Sequence, residues 1–177
     1  MTLEKLIELI GRLMEEEKIR YFTFGAVAMD FWVSPRMTHD LDLVLCVEKK
    51  EIPRLATLLN GKGFQFSKSL QRKLGEGRIV NLPIGTTKLD LKLCATDHDR
   101  MAADRATEFE SDSHRLWVAT PEDVVLYKLQ VWRRQDQADV ERLKKEVSDL
   151  DEDYIHEWIT TIEAEGDIPM LARWESV

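Results

Sequence analysis

Apolar side chains recur at helical spacing near the start of this 177-residue chain. Residues 2–17 place apolar residues three and four positions apart, which predicts an amphipathic helix with an acidic outer face. The pattern then changes to short apolar runs divided by glycine and proline, which are typical of strands and brief helices. Beyond residue 95 glycines nearly vanish and helical spacing dominates. We therefore predict an α/β (α+β) protein, with a core over residues 1–95 and a mainly helical C-terminal part, residues 96–177, packed on it.

The same patterns place the individual elements. Within the core they predict strands at 21–24, 38–45, 64–67, 78–82 and 88–93, and helices at 26–32 and 51–59. In the C-terminal part, Thr120-Pro121-Glu122-Asp123 predicts a helix start: threonine caps, proline fits the first turn, and acids suit the positive end of the dipole. This helix should run to about Arg134, with further helices at 139–147 and 153–165. Residues 95–112 are polar, and a linker, a loop and a surface helix are alternatives there.

Composition narrows the function classes. The net charge is −8, so the chain as a whole does not favour general nucleic-acid binding. The N-terminal region carries acids throughout and has no uninterrupted apolar stretch, so we expect neither a signal peptide nor a membrane partner. Cys46 and Cys94 each lie in an apolar, strand-like run, which favours buried thiols and a cytoplasmic protein.

Two aspartates stand two positions apart in the strand predicted at 38–45. Asp40 and Asp42 should face the same side of that strand, next to apolar residues that are expected to be buried. Like charges so close repel each other and lose hydration, and a cation between them removes both costs. The pair therefore predicts a metal site and, with it, phosphate chemistry. The alternative is a solvated strand edge or turn.

Two further features complete this constellation. Phe24-Gly25-Ala26 reads as a strand-to-helix turn, with a glycine that lets a phosphate approach backbone amides. Lys88 to Leu93 alternates polar and apolar residues, so Lys88, Asp90 and Lys92 share one face of a strand. We therefore expect Asp90 to be the third carboxylate of the site.

This combination resembles the nucleotidyltransferase superfamily of the polymerase-β type, and within it the minimal and abortive-infection toxin-type nucleotidyltransferases. The resembling features are the Gly-Ala turn, the lead-in Arg36-Met37-Thr38, the Asp-x-Asp pair and Leu89-Asp90-Leu91. The resemblance implies a mixed-sheet nucleotidyltransferase core. It also suggests counterparts of a paired-lysine motif in Lys68 and Lys73, and of an Asp-x-x-Asp motif in Asp136 and Asp139.

The resemblance further implies a two-metal mechanism. Asp40, Asp42 and Asp90 would hold two Mg²⁺ ions, with Mn²⁺ as an alternative, and Asp90 would also activate the attacking hydroxyl. The residues expected to contact the nucleotide are Gly25, Ala26, Arg36, Thr38, Lys68, Lys73, Lys88, Lys128, Asp136 and Asp139. Structural alternatives exist for four of these residues. Lys128 could snorkel at a domain interface, Arg36 could pair with an acid, and Asp136 and Asp139 could solvate a helix start.

The implied partners are an NTP and a hydroxyl acceptor, which could be RNA, a protein side chain or a small molecule. A small antitoxin-like protein is a further expected partner. The second function hypothesis is a catalytically degenerate protein that binds a nucleotide or a partner. It arises because Ala26 stands where the family usually has serine or glycine, so no hydroxyl is available there to hold a phosphate.

Overall fold

The computed structural model describes residues 1–110 and 114–177, and the strands in these ranges form one mixed sheet. The strands are β1 (Tyr21–Thr23), β2 (Asp40–Leu45), β3 (Val80–Ile84), β4 (Thr87–Leu93), β5 (Thr107–Glu110) and β6 (Arg115–Val118). Their order in the sheet is β3-β4-β2-β1-β6-β5. β4 and β2 run parallel, as do β1 and β6, while the other neighbours are antiparallel. The predicted mixed-sheet α/β fold is therefore confirmed.

Helices pack against this sheet and make up most of the C-terminal part. They are α1 (Leu3–Glu16), α2 (Gly25–Met29), α3 (Ile52–Gly61), α4 (Lys68–Gly75), α5 (Asp97–Arg105), α6 (Pro121–Val131), α7 (Arg134–Glu146), α8 (Glu152–Glu165) and α9 (Met170–Glu175). A short 3-10 turn, Lys49–Glu51, leads into α3. Among the described residues, none of the helices combines the length and the apolar character needed to cross a bilayer.

The C-terminal part contributes more to the sheet than the sequence predicts. β5 and β6 extend the sheet, and Thr23 of β1 is the register partner of Val118 in β6. The predicted division at residue 95 therefore does not coincide with an edge of the sheet. α6 packs against α2, α7, α8 and α9. Every residue of α6 from Pro121 to Leu129 is buried, so this helix has no polar outer face.

Several local predictions differ from the structure. The helix predicted to run to about Arg134 ends at Val131, because Trp132 takes a left-handed conformation, and the helix predicted at 139–147 already begins at Arg134. Residues 64–67 form no strand; Phe64 and Phe66 are buried in a loop, and the Phe66 amide donates to Asn60 Oδ1 at 2.7 Å. α4 follows directly, capped by Ser67, and was not predicted. In the polar stretch 95–112, helix α5 begins after the Thr96 cap, which agrees with the helical alternative. Strand β5 follows α5 and was not predicted. Residues 111 and 112 lie outside the described part.

Asp99 anchors α5 to the sheet. Its carboxylate accepts hydrogen bonds from Lys92 of β4, from the Tyr127 hydroxyl of α6 at 2.7 Å, and from the Ala95 and Thr96 amides at 3.0 Å each. Burial by itself would raise the pKa of Asp99. The charge and hydrogen bond of Lys92, together with the other donors, outweigh burial and lower this pKa to about 2.

We expect Asp99→Asn to lower the free energy of unfolding by about 2 kcal/mol at neutral pH. The pKa of Asp99 in the folded chain lies below its unfolded value, so its stabilisation is complete above roughly pH 4 and is lost as the pH falls toward 2. Urea unfolding of both proteins at about pH 7, 4 and 3 measures this. The difference in unfolding free energy between Asp99→Asn and the unmodified chain should be smaller at the acidic pH values. A difference independent of pH would show that ionised Asp99 is not the source of the stabilisation.

Candidate active site

A cavity of about 330 Å³ opens at the end of the sheet where β2 and β4 begin. Its walls come from the turn before α2, the segment leading into β2, the polar faces of β2 and β4, and the junction between α6 and α7. The lining residues are Phe24, Gly25, Ala26, Arg36, Thr38, Asp40, Asp42, Lys88, Asp90, Tyr127, Lys128, Val131, Arg133, Gln135 and Asp136. The cavity therefore contains residues from both halves of the chain.

Strand register brings the three predicted carboxylates together. β2 and β4 pair in parallel, with Asp42 opposite Asp90 and Asp40 opposite Lys88. Because side chains alternate along a strand, these four polar residues share one face, and the leucines between them lie buried on the other. All three carboxylates line the same cavity, which is the arrangement that the sequence pattern predicts.

Lys88 and Asn81 fix the Asp90 carboxylate from two sides. The Lys88 ammonium lies 3.0 Å from Asp90 Oδ2 and 3.1 Å from Asp40 Oδ2, so it bridges two of the predicted metal ligands. Asn81 of β3 donates from Nδ2 to Asp90 Oδ1 at 2.7 Å. Burial lowers the pKa of Lys88, but its hydrogen bonds to Asp90 and Asp40 outweigh this and raise it. Sequence reasoning missed Asn81, because only the antiparallel register places it opposite Asp90.

Asp42 is the carboxylate that most lacks a cation. Burial, followed by the negative charge of Asp90, raises the pKa of Asp42 to about 6, although Lys128 partly opposes the shift. The backbone of Asp42 is held in place, since its carbonyl accepts from the Thr23 hydroxyl at 2.9 Å and from the Phe24 amide at 3.1 Å. A neighbouring cation would relieve both causes of this raised pKa.

Gly25 makes the turn beside Asp42 possible. Its φ is +73°, a left-handed conformation that residues with a Cβ adopt at a cost. A Cβ at this position would stand 2.3 Å from Asp42 Oδ2. The glycine therefore serves both the turn and the close packing of the carboxylate over it. Ala26, the next residue, is buried and lines the cavity without a side-chain hydroxyl.

Lys128 centres a buried ion network at the other wall of the cavity. Its ammonium lies 3.1 Å from Asp136 Oδ1 and 2.7 Å from Asp139 Oδ2. Arg36 donates from Nε and Nη2 to Asp139 at 3.2 Å each, and Arg133 donates from Nε to Asp136 at 2.8 Å. Both aspartates are fully buried rather than solvated, and Arg36 does pair with an acid. The network ties the segment before β2 to α7.

The pKa values of the two network aspartates follow from this pairing. Burial by itself would raise the pKa of Asp139, but the hydrogen bond and charge of Lys128 outweigh burial and lower it. The same balance lowers the pKa of Asp136, with Arg133 contributing the first favourable hydrogen bond. The two carboxylates are therefore held ionised by the surrounding cations.

The structure separates the predicted nucleotide contacts into two groups. Gly25, Ala26, Arg36, Thr38, Lys88, Lys128 and Asp136 line the cavity. Asp139 lies directly behind Lys128 and Arg36. Lys68 and Lys73 instead project from the exposed side of α4 and do not line the cavity, so their nucleotide contact remains a prediction.

Sequence reasoning missed several lining residues on α6, on α7 and in the turn before α2. They are Phe24, Tyr127, Val131, Arg133 and Gln135. Arg133 carried a usable signal, because it stands three residues before Asp136 and forms a capping box with it at the start of α7. No such signal marks Phe24 and Tyr127, because the spacing of apolar residues does not distinguish a cavity wall from the core.

The donor set fits a hard divalent cation. Asp40, Asp42 and Asp90 offer carboxylate oxygens, which Mg²⁺ and Mn²⁺ prefer, and the raised pKa of Asp42 marks a site short of positive charge. In the arrangement described for residues 1–110 and 114–177, no three His, Cys, Asp or Glu side chains are gathered closely enough to hold a metal. The Lys88 ammonium supplies the local positive charge between Asp40 and Asp90 instead.

Comparisons with known proteins give matches at the level of structure. No protein-family model matches the chain, and no curated protein matches it. A nucleotidyltransferase-like antigenic protein from Paracoccidioides brasiliensis is similar, with a TM-score of 0.55 and 18% identity over 80% of this chain and 73% of that one. The lincosamide antibiotic adenylyltransferase LnuA, solved with lincomycin, also has a TM-score of 0.55, with 15% identity over 81% of this chain and 97% of its own. The chain therefore has the fold of nucleotidyltransferase-like proteins.

Proposed function

We propose that this protein is a nucleotidyltransferase that moves a nucleotidyl group from an NTP to a hydroxyl acceptor with the help of Mg²⁺ or Mn²⁺. The observation that carries the proposal is the convergence of Asp40, Asp42 and Asp90 on one cavity beside the Gly25 turn. The nucleotidyltransferase-like fold supports it by analogy, because proteins of this fold include an adenylyltransferase.

The three carboxylates would hold two Mg²⁺ ions. When bound, such ions neutralise charge on the phosphates and on the attacking and leaving oxygens. The chain's own contribution is positional. Asp42 is fixed by its backbone hydrogen bonds, and Asp90 is fixed by Asn81 and Lys88. In this proposal Asp90 also orients the acceptor hydroxyl and takes its proton.

Three cations on the cavity wall retain donors for a triphosphate. Arg36 and Arg133 each use Nε and Nη2 on an aspartate, and within residues 1–110 and 114–177 the Nη1 group of each guanidinium has no hydrogen bond. Lys128 donates two of its three N–H groups to Asp136 and Asp139, so its third is the one proposed for phosphate. We propose that these groups hold the departing pyrophosphate, while the Gly25 and Ala26 amides and Thr38 contact the α-phosphate that is transferred.

We also propose candidates for the hydroxyl acceptor and for a protein partner. RNA, a protein side chain and a small molecule are all acceptors with a suitable hydroxyl, and the assay below separates them. A small antitoxin-like protein that covers the cavity is a further proposed partner. Copurification of the full chain with a small acidic or basic protein, released by excess NTP, would support that partner.

The test is transfer of radiolabel from α-labelled NTPs in the presence of Mg²⁺ to separate RNA, protein and metabolite pools. We expect one pool to become labelled, and Asp42→Asn to reduce the labelling at least about 100-fold because it removes one anionic oxygen from the site. Asp153→Asn, an exposed acid in the first turn of α8, is the matched control and should keep full labelling.

The competing function is nucleotide binding without transfer. Two observations favour it: the Lys88 ammonium lies where a cation would bridge Asp40 and Asp90, and Ala26 brings no hydroxyl. If no pool is labelled and Asp42→Asn binds NTP as tightly as the unmodified chain, the enzyme proposal must be dropped. NTP binding that persists under those conditions would establish the competing function.

A further inference from the structure

The two cysteines stand side by side at the end of the sheet opposite the cavity. Cys46 follows the last residue of β2 and Cys94 follows the last residue of β4. Leu45 and Leu93 are register partners, and the Cys94 amide donates to the Leu45 carbonyl at 2.9 Å. The parallel ladder therefore continues up to the cysteines and places them as neighbours.

This register suits a disulfide. Neighbouring strands lie about 4.8 Å apart, within the range of about 4.4–6.8 Å that disulfides span between Cα atoms. Each cysteine comes one residue after a register partner, so both side chains project from the same face of the sheet. Cross-linking them would require no change of pairing between β2 and β4.

The two thiols already interact and differ in character. Sequence reasoning expected both to be buried, but both are half-buried, because each lies just beyond the end of its strand. The neighbouring Cys46 thiol lowers the pKa of Cys94, whereas the same pairing, helped by burial, raises the pKa of Cys46. Cys94 is thus the thiol that ionises first, and Cys46 is the neighbour that keeps its proton.

We propose that Cys46 and Cys94 form a modification site, at which a low-molecular-weight disulfide such as glutathione disulfide converts the two thiols into a reversible internal disulfide. This site is independent of the proposed nucleotidyl transfer. Neither cysteine lines the cavity, and each lies four residues from Asp42 or Asp90, about 13 Å along an extended strand.

The reaction proceeds in two exchanges. The Cys94 thiolate attacks one sulfur of glutathione disulfide, whose S–S bond breaks, and one glutathione leaves as a thiolate. Cys46 then gives its proton to solvent and attacks Cys94 Sγ, which breaks the mixed disulfide and releases the second glutathione. Two electrons pass from the protein thiols to the glutathione disulfide, and two glutathione molecules are the products.

The experiment treats the folded, reduced chain with excess glutathione disulfide and follows thiol titration and intact mass. We expect both thiols to disappear together, no disulfide to link two chains, no glutathione to be retained, and dithiothreitol to restore both thiols. Three outcomes would overturn the proposal: thiols that remain titratable, a stable glutathione adduct on the unmodified chain, or cross-linked pairs of chains.

Two single substitutions test the order of events. Cys46→Ser removes the resolving thiol, so glutathione should accumulate on Cys94 as a stable adduct. In Cys94→Ser, burial still raises the pKa of Cys46, whereas in Cys46→Ser the serine hydroxyl can still donate to Cys94, so the reaction of Cys46 at the same pH should be at least about tenfold slower than that of Cys94. Equal rates in the two variants would show that Cys94 is not the attacking thiol and would overturn the assigned order.

Discussion

Gly25→Ala is expected to reduce nucleotidyl transfer at least about 100-fold while the chain remains folded. A Cβ at residue 25 would stand 2.3 Å from Asp42 Oδ2 and 2.9 Å from its Cγ, so the carboxylate must rotate out of its present position. An alanine at residue 25 must also adopt the positive φ of 73°, and this conformation lowers the free energy of unfolding by about 1–2 kcal/mol. Labelled-NTP transfer and urea unfolding measure the two effects separately.

Gly77→Ala is the matched control for this experiment. Gly77 has a φ of +81°, but a Cβ there would meet nothing within 4 Å, so the variant carries the backbone strain without the contact. Both alanine variants should lose stability through backbone strain, Gly25→Ala should lose more because of its contact with Asp42, and Gly77→Ala should keep its transfer activity. Equal activities in the two variants would show that the Asp42 position beside Gly25 does not matter for the reaction.

A double substitution isolates the contact itself. Asp42→Ala removes the carboxylate that a residue-25 Cβ would meet, although the Asp42 Cβ at 3.3 Å remains. If the contact adds to the strain, Gly25→Ala should cost less unfolding free energy in the Asp42→Ala background than in the unmodified chain. The double variant should still lack transfer activity. Its stability therefore reports on packing, and its activity reports on the carboxylate.

The three carboxylates of the site could be predicted from the sequence, because side chains along a strand alternate between its two faces. Asp40 and Asp42 share a face at spacing two, and Asp90 falls on the equivalent face of another strand. The glycine turn was recognisable for a similar reason, since a positive φ favours glycine and the neighbouring residues switch from strand to helix spacing. These are local rules, and they require no knowledge of which strands become neighbours.

The rest of the site depends on long-range pairing, which a single sequence does not encode in its spacing. Asn81 reaches Asp90 only because β3 pairs antiparallel with β4. β5 was missed because its short, largely exposed run offers no buried apolar alternation. The sequence pattern placed Lys128 on the correct helix. It did not distinguish a buried Lys128 from one that snorkels to the surface, because the two carboxylates that bind it lie on α7.

Lys128→Met is expected to lower the free energy of unfolding by about 3–5 kcal/mol at neutral pH. Methionine fills a similar volume but leaves Asp136 and Asp139 as buried anions that each keep a single cationic partner, Arg133 or Arg36. The folded-state pKa of each aspartate is lowered, so their stabilisation is present above roughly pH 4 and is lost as the pH falls. The effect of the substitution should therefore shrink between about pH 7 and pH 3.

Two comparisons distinguish this charge effect from a loss of packing. Lys145→Met removes an exposed lysine from α7, the helix that carries both aspartates, and should change stability by less than about 0.5 kcal/mol. Adding Asp139→Asn to Lys128→Met removes one of the two buried anions that lost the lysine and should recover part of the lost stability. If the double variant is less stable than Lys128→Met alone, the cost lies in packing around the lysine stem. Recovery would instead show that the wall of the cavity is held by charge, because the buried lysine and its two carboxylates stabilise one another.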